Sequence, residues 1–258
     1  MKVHIIGGGN LGVSIALGLS RFSKDNQITI TRRNTASILY LEELGVTVST
    51  DNKYQIQEAD IVILTIKPYQ VSTVFAEILP VISNKIIASA VSGLSIENLQ
   101  IKIGDSNSAI RIMPNIAAQF GASATCIAFN EKHAAQAQNV VALFQELGTA
   151  PIIDEKLMDA ATVLAASGTA FALRYIRASM QAGIEIGFDW QTALAISAQT
   201  VKGAAEMIME EQIHPEQLID RVTTPQGCTI AGLNEMETHG FSSSLVRGIK
   251  AALKKIKG

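Results

Sequence analysis

The chain has 258 residues, 48% of them hydrophobic and 17% charged, with a formal net charge of −2. This composition excludes intrinsic disorder, and the near-neutral charge leaves no electrostatic footprint for a polyanion, so no nucleic-acid partner is expected. At ~150 residues per domain, the length fits one or two domains with a full hydrophobic core.

The one basic run, Lys250, Lys254, Lys255 and Lys257, suits the C-terminal end of a helix, where cations meet the negative end of the dipole. Cys126 and Cys228 stand far apart, with no CxxC and no Cys/His grouping, so no metal site is expected and a reducing cytoplasm fits. Met1-Lys2 leads straight into an apolar strand without the architecture of a signal peptide. No apolar run is long enough to cross a bilayer, so no membrane partner is expected either.

In chain order, residues 3–6 form a short apolar run closed by glycines, the pattern of a buried strand. Leu11, Ile15, Leu19 and Phe22 then recur at helical spacing. Further strands are expected at 28–31, 46–49, 61–66, 86–91, 109–113, 124–129 and 151–153. A helix is expected over 36–44, with Gly45 ending it, and another from Asn130 to Gly148. Strands apolar on both faces and separated by helices predict a mostly parallel sheet covered on both sides, an α/β fold. Beyond Asp154 no further strand signal is present, and helices fit 156–166, 170–186, 190–211, 215–221, 229–239 and 243–257. Pro215 stands at a first helical position, where its missing N–H is harmless. The expected division is therefore an α/β dinucleotide-binding domain over 1–153 and an all-helical domain over 154–258.

Gly7-Gly8-Gly9-Asn10-Leu11-Gly12 contains G-x-G-x-x-G between the first strand and the first helix, the context in which the pattern has a mechanism. Gly7 makes the tight turn, Gly9 lets a pyrophosphate approach the backbone, and Gly12 lets helix and strand close up. Asn10 and Leu11 open the helix whose N-terminus faces the anion. A plain glycine turn is the alternative. After the second strand an NAD enzyme usually places a carboxylate for the ribose 2′-OH; this chain has Thr31-Arg32-Arg33-Asn34. Two guanidiniums suit a 2′-phosphate, so NADP(H) is expected, with NAD the weaker alternative. The competing reading makes both arginines ordinary surface charges.

The segment from Asp220 to Leu233, Asp-Arg-Val-Thr-Thr-Pro-Gln-Gly-Cys-Thr-Ile-Ala-Gly-Leu, resembles the signature loop of pyrroline-5-carboxylate reductases. The resemblance spans the chain: the N-terminal glycine loop, Lys67-Pro68, Ser92-Gly93, Arg111-Ile112-Met113-Pro114-Asn115 and Ser167-Gly168 follow in the family's order. It departs from the family pattern at Gln226, where glycine is usual, at Thr169 and at Ile116-Ala117. The resemblance implies that Thr229 contacts the ring nitrogen of a cyclic imine and Thr224 its carboxylate, with Gly227 and Cys228 completing the substrate loop. It also places Asn52 near the adenosine ribose, and Lys67 and Pro68 near the nicotinamide half of the cofactor. The implied reaction is NADPH-dependent reduction of 1-pyrroline-5-carboxylate to L-proline, the last step of proline biosynthesis.

The loop's chemistry is compatible with that role, because a Gly-x-Thr turn opening a helix offers N–H groups to a carboxylate and a hydroxyl that donates and accepts. A simple helix cap at Thr229 is the competing reading. Cys228 has no Lys, Arg or His neighbour in sequence to activate it, so no nucleophilic role is expected. His4, His133, His214 and His239 show no ligand or triad spacing and are taken as structural. Lys67 has a surface-lysine alternative.

Two rival functions remain. A β-hydroxyacid dehydrogenase of the phosphogluconate type uses a lysine on a helix of its second domain, but Lys202 is the sole lysine between 157 and 249 and its surroundings differ. A non-catalytic nucleotide sensor is the other. The aliphatic helical half implies more apolar surface than one small bundle hides, and the family resemblance implies a homodimer or a ring of dimers.

Overall fold

The β-branched apolar runs of the first half hydrogen-bond into one seven-stranded sheet. The computed structural model describes residues 1–257, with side chains to residue 256. It contains β1 (Lys2–Ile6), β2 (Gln27–Thr31), β3 (Val46–Ser49), β4 (Ile61–Leu64), β5 (Ile86–Ser89), β6 (Ser108–Met113), β7 (Ser123–Ala124), β8 (Cys126–Phe129) and β9 (Gly148–Thr149). The large sheet runs β3-β2-β1-β4-β5-β6-β8, parallel except for β8, which is antiparallel to β6. The order reverses beside β1, which creates the crevice where doubly wound sheets bind nucleotides.

The alternation along β4 shows why these strands read as unbroken apolar runs. Ile61 and Ile63 enter one core with Ile5, Ile30 and the helices α1 (Asn10–Phe22) and α4 (Ala134–Gln145). Val62 and Leu64 enter another with Ile6, Ile87 and the helices α2 (Val71–Ile78) and α3 (Ile96–Ile103). Both faces of each central strand are dry, as a parallel sheet requires.

Several local expectations give way to side-chain competition. The helix expected over 36–44 is a 3₁₀ turn at Leu39–Leu44, ended by Gly45 at φ 78°. Upstream of it, the Asn34 side chain accepts the Ala36 N–H at 3.1 Å and makes a local bend. Asn130 makes no side-chain cap bond; a short turn at Glu131–His133 precedes α4, which stops at Gln145. Gly148 begins β9 instead of ending the helix. Its φ is +136°, and a Cβ there would meet the Ser123 carbonyl oxygen at 2.2 Å. The run 151–153 contributes only an isolated bridge between Ile152 and Ile127. The helix expected over 156–166 opens as α5 (Met158–Ala161) and loosens into a π-helical turn at Thr162–Ser167. Thr162 Oγ1 donates to Met158 O at 2.9 Å, and Asn115 Nδ2 donates to Ala165 O at 3.2 Å, so side chains enter this turn of the ladder.

The chain divides into two compact units, Met1–Ser167 and Gly168–Gly258. The second contains α6 (Gly168–Glu185), α7 (Trp190–Glu211), α8 (Pro215–Val222), α9 (Cys228–Thr238) and α10 (Phe241–Lys257). Small residues bring α6 against α7: Ser179 and Ser197 hydroxyls lie 2.9 Å apart, and a Cβ on Gly183 would come within 2.9 Å of Ala193 Cβ. Asp189 caps α7 by accepting the Thr192 N–H. His214 caps α8, with Pro215 in its first turn.

Candidate active site

The cofactor residues inferred from sequence all lie in the first unit, and Thr224, Gly227, Cys228 and Thr229 all lie in the second. The phosphate loop is a cradle built by steric exclusion. Gly7 has φ +113°, and a Cβ there would stand 2.8 Å from the Thr65 carbonyl oxygen. A Cβ on Gly12 would strike Gly7 O at 2.1 Å. Thr65 Oγ1 donates to Gly7 O at 2.7 Å, and the Gly7 and Gly8 N–H groups both donate to Thr31 O, so the turn is locked to β2 and β4.

Gly9, by contrast, has nothing within 4 Å of its Cβ position. The N-terminus of α1 has no side-chain cap bond and no acidic residue in its first turn. A cavity of about 410 Å³, lined in part by Gly8, Gly9, Asn10, Ser14, Arg32 and Ser37, opens beside it. Free N–H groups, the positive end of a helix dipole and room at Gly9 fit a dinucleotide phosphate.

The two arginines after β2 are placed differently. Arg32 Nη1 donates to Gly8 O and to Ser37 Oγ, each at 3.0 Å. Arg33 is exposed and makes no hydrogen bond among the described residues. Asn52 is already engaged: its Oδ1 accepts from Thr31 Oγ1 at 2.6 Å and its Nδ2 donates to Glu77 Oε2 at 2.8 Å. Lys67 and Pro68 are exposed at the end of the β4 segment, where the Lys67 N–H donates to Gln70 Oε1 at 3.0 Å.

In the second unit, the Gly227 N–H donates to Thr224 O at 2.9 Å and closes a turn that feeds α9. The N-cap of α9 is Gly227, with no side-chain cap bond, so Thr229 lies inside the first turn and is not the cap. A Cβ on Gly227 would stand 2.4 Å from Thr224 Oγ1, which accounts for glycine there. Thr224 and Thr229 hydroxyls make no hydrogen bond among the described residues, and Cys228 is exposed. Gln226 has φ 58°, the left-handed region that glycine enters freely. The usual glycine at this position thus has a conformational reason, and Gln226 adopts the same backbone at a cost of about 1 kcal/mol.

Sequence reasoning missed Thr65, Ser37 and Glu77. Thr65 and Glu77 bind a loop carbonyl and an amide from far along the chain, where no local pattern marks them, whereas Ser37 stands only five residues after Arg32 and was legible as a nearby hydroxyl. His4 is fully buried on β1, and neither ring nitrogen has a hydrogen-bond partner. Burial lowers its pKa from 6.5 to about 4, against the Asn52 backbone carbonyl and the Asp51 charge, which favour protonation. His133 Nε2 lies 2.7 Å from Gln100 Oε1, and His239 stands beside Glu235 on α9. Among the described residues no group of three His, Cys, Asp or Glu side chains is placed to hold a metal.

A family model described as pyrroline-5-carboxylate reductase dimerisation matches residues 155–258, and one described as NADP oxidoreductase, coenzyme F420-dependent, matches residues 2–93. The chain is 42% identical to pyrroline-5-carboxylate reductase 1 of Dictyostelium discoideum over 96% of its own length, although it spans only 48% of that relative. It is 39% identical to pyrroline-5-carboxylate reductase 2 of the same organism, covering 98% of this chain and 91% of the relative. Among solved structures, Plasmodium falciparum pyrroline carboxylate reductase with NADP bound has a TM-score of 0.88 at 24% identity, covering 100% of this chain and 97% of that one. With a glycine cradle on the crevice of a doubly wound sheet and a Thr-Pro-Gln-Gly-Cys-Thr turn opening a helix, the 39% identity to the second of these relatives across nearly the whole of both chains establishes that the chain belongs to the pyrroline-5-carboxylate reductase family.

Proposed function

We propose that this chain reduces 1-pyrroline-5-carboxylate to L-proline with NADPH. The observation that carries the reading is the start of α9: a helix N-terminus without a side-chain cap, preceded by a glycine-closed turn, with the Thr229 hydroxyl unspent in its first turn. Free N–H groups at the positive end of the dipole suit the substrate carboxylate, to which Thr224 adds a hydroxyl. Thr229 is suited to hold the ring nitrogen, accepting from its N–H when the imine is protonated. NADPH supplies a hydride to the imine carbon, and the ring nitrogen ends protonated. The protein's work is orientation and charge balance.

On this reading Gly7, Gly9, Asn10, Leu11 and Gly12 receive the pyrophosphate, and Arg32 and Arg33 the 2′-phosphate. Asn52 serves the ribose after opening one of its two bonds, and Lys67 and Pro68 border the nicotinamide half. The division of labour is a nucleotide domain over 1–153 and a substrate and assembly domain over 154–258. The second unit supports self-association. Among its described residues the buried apolar side chains are Ala193 and Leu218, while Leu173, Ile186, Trp190, Met209, Val222 and Val246 are exposed. Such a surface needs a partner, and a second copy of this chain supplies one, with a ring of dimers as the larger form. No helix among the described residues is long and apolar enough to cross a membrane. Both cysteines are free, which accords with work in the cytoplasm.

The test is NADPH oxidation, followed optically, with 1-pyrroline-5-carboxylate as substrate and L-proline identified as product. Turnover with stoichiometric proline is expected. NADPH binding with no turnover at any substrate concentration would favour the nucleotide-sensor alternative.

A further inference from the structure

Arg32 does not lie free on the surface like Arg33. Both hydrogens of its Nη1 are committed, one to the Gly8 carbonyl and one to Ser37 Oγ, each at 3.0 Å. Its Nε and Nη2 hydrogens have no protein partner among the described residues. In a guanidinium these two form one edge, the side-on fork that takes two oxygens of a phosphate together. The anchored nitrogen therefore fixes the plane of the group and leaves the phosphate-binding edge unused. Gly8, the glycine that the G-x-G-x-x-G pattern does not require, belongs to this arrangement. A Cβ on it would stand 3.0 Å from Arg32 Cβ and 2.9 Å from Ile38 Cδ1, so its bareness lets the arginine lie across the loop. Ser37 in turn is presented by the bend that the Asn34 side chain makes with the Ala36 N–H. All of these groups border the cavity of about 410 Å³ beside the phosphate loop or feed it.

We infer that Ser37 is a specificity-determining positioning residue: by holding Arg32 Nη1 it presents the Nε/Nη2 edge to the cofactor's 2′-phosphate, and so sets the preference for NADPH over NADH. The inference rests on the NADPH reading given above. Arg33, untethered, adds charge without direction, so the discrimination is carried by the Arg32–Ser37 pair. An unanchored Arg32 must be ordered by the ligand itself, and that cost falls only on ligands bearing the 2′-phosphate.

The test uses adenosine 2′,5′-bisphosphate and adenosine 5′-monophosphate as probes in calorimetry on the full chain, so that no imine substrate is needed. Ser37→Ala is expected to weaken the bisphosphate roughly five- to tenfold, the worth of one lost anchoring bond. Monophosphate binding should stay unchanged. Ser37→Thr keeps the hydroxyl and should restore most of the affinity. On an Arg32→Ala background, Ser37→Ala should add nothing, because the serine acts through the arginine. In turnover, KM for NADPH should rise by the same factor while kcat at saturation holds. Equal losses for both probes, no loss at all, or a full additional loss on the Arg32→Ala background would overturn the inference. Wild-type protein that fails to prefer the bisphosphate would sink the NADPH reading and this inference together. Preference for the bisphosphate without turnover of the imine would leave the inference standing and remove only the proposed reaction.

Discussion

Thr229 and Gln226 both lie within two positions of the turn's glycine, yet substitution should act on activity at one and on stability at the other. Gly227 caps α9, so removing the Thr229 hydroxyl costs no cap bond. Thr229→Ala is therefore expected to lower kcat roughly tenfold or more, as a bond to a developing charge is worth about 1.5–3 kcal/mol. Its melting temperature should hold and Thr229→Ser should keep much of the activity. Kinetics and thermal unfolding on the same preparations check this; normal turnover would remove Thr229 from the site. Gln226→Gly relieves a left-handed residue at φ 58° and should stabilise the fold by up to about 1 kcal/mol, read by denaturant titration. A third residue acts through protons. His4 has a folded pKa of about 4 against 6.5 unfolded, so the unfolded chain binds the extra proton between those values. Stability from this site is complete above pH 6.5 and is lost as pH falls towards 4, by up to about 1.4 kcal/mol per pH unit. His4→Leu, which also removes two orphaned ring nitrogens, should be at least as stable at neutral pH. Its stability should be flatter across that acidic window, as measured by urea titrations at several pH values.

At the scale of elements, a long-range ion pair joins pieces that no local pattern connects. Arg111 on β6 is buried, and its Nη1 donates to Glu155 Oε1 at 3.1 Å. The same Oε1 accepts the Ile96 N–H at the start of α3 at 2.6 Å. Glu155 therefore ties the sheet, α3 and the approach to α5 together. Glu155→Ala leaves a buried guanidinium without its carboxylate and should cost about 3 kcal/mol. Glu155→Gln keeps an acceptor and should cost less, and pairing Glu155→Leu with Arg111→Met should recover most of the loss. Equal stability of the wild type and the alanine variant in denaturant titrations would contradict this account. The same scale explains why the sequence misplaced some elements. Helical periodicity was present over 36–44 and 156–166, but in the second stretch the Thr162 and Asn115 side chains donate to carbonyls that a regular ladder would use. Whether those side chains win depends on neighbours brought in from elsewhere.

For the molecule as a whole, the contrast between the units is thermodynamic. The first buries two apolar layers on either side of its sheet. The second, from α6 to α10, buries only Ala193 and Leu218 among the apolar side chains of its described residues. Its remaining aliphatic and aromatic surface calls for a second subunit, and light scattering at micromolar concentration should report at least a dimer. Replacing exposed Val246 and Met209 with aspartate should shift that equilibrium towards monomer and lower the melting temperature. A fully active monomer of the wild type would refute the assembly.

What the sequence determined alone is whatever depends on near neighbours or on period. Continuous apolar strands dictated a sheet covered on both faces, glycine spacing dictated the cradle between β1 and α1, and Thr31-Arg32-Arg33 without a carboxylate pointed to the charge of the cofactor. The order Thr224 to Thr229 was likewise legible, because a turn opening a helix is local chemistry. The tertiary structure alone decided which arginine is anchored, since Gly8 lies 24 residues from Arg32. It decided that Asn52 is spent on Thr31 and Glu77, that Glu155 neutralises Arg111, and that Gly227 rather than Thr229 caps α9. Each of these depends on side chains or backbone angles set by packing, and hydrophobic period carries no record of them.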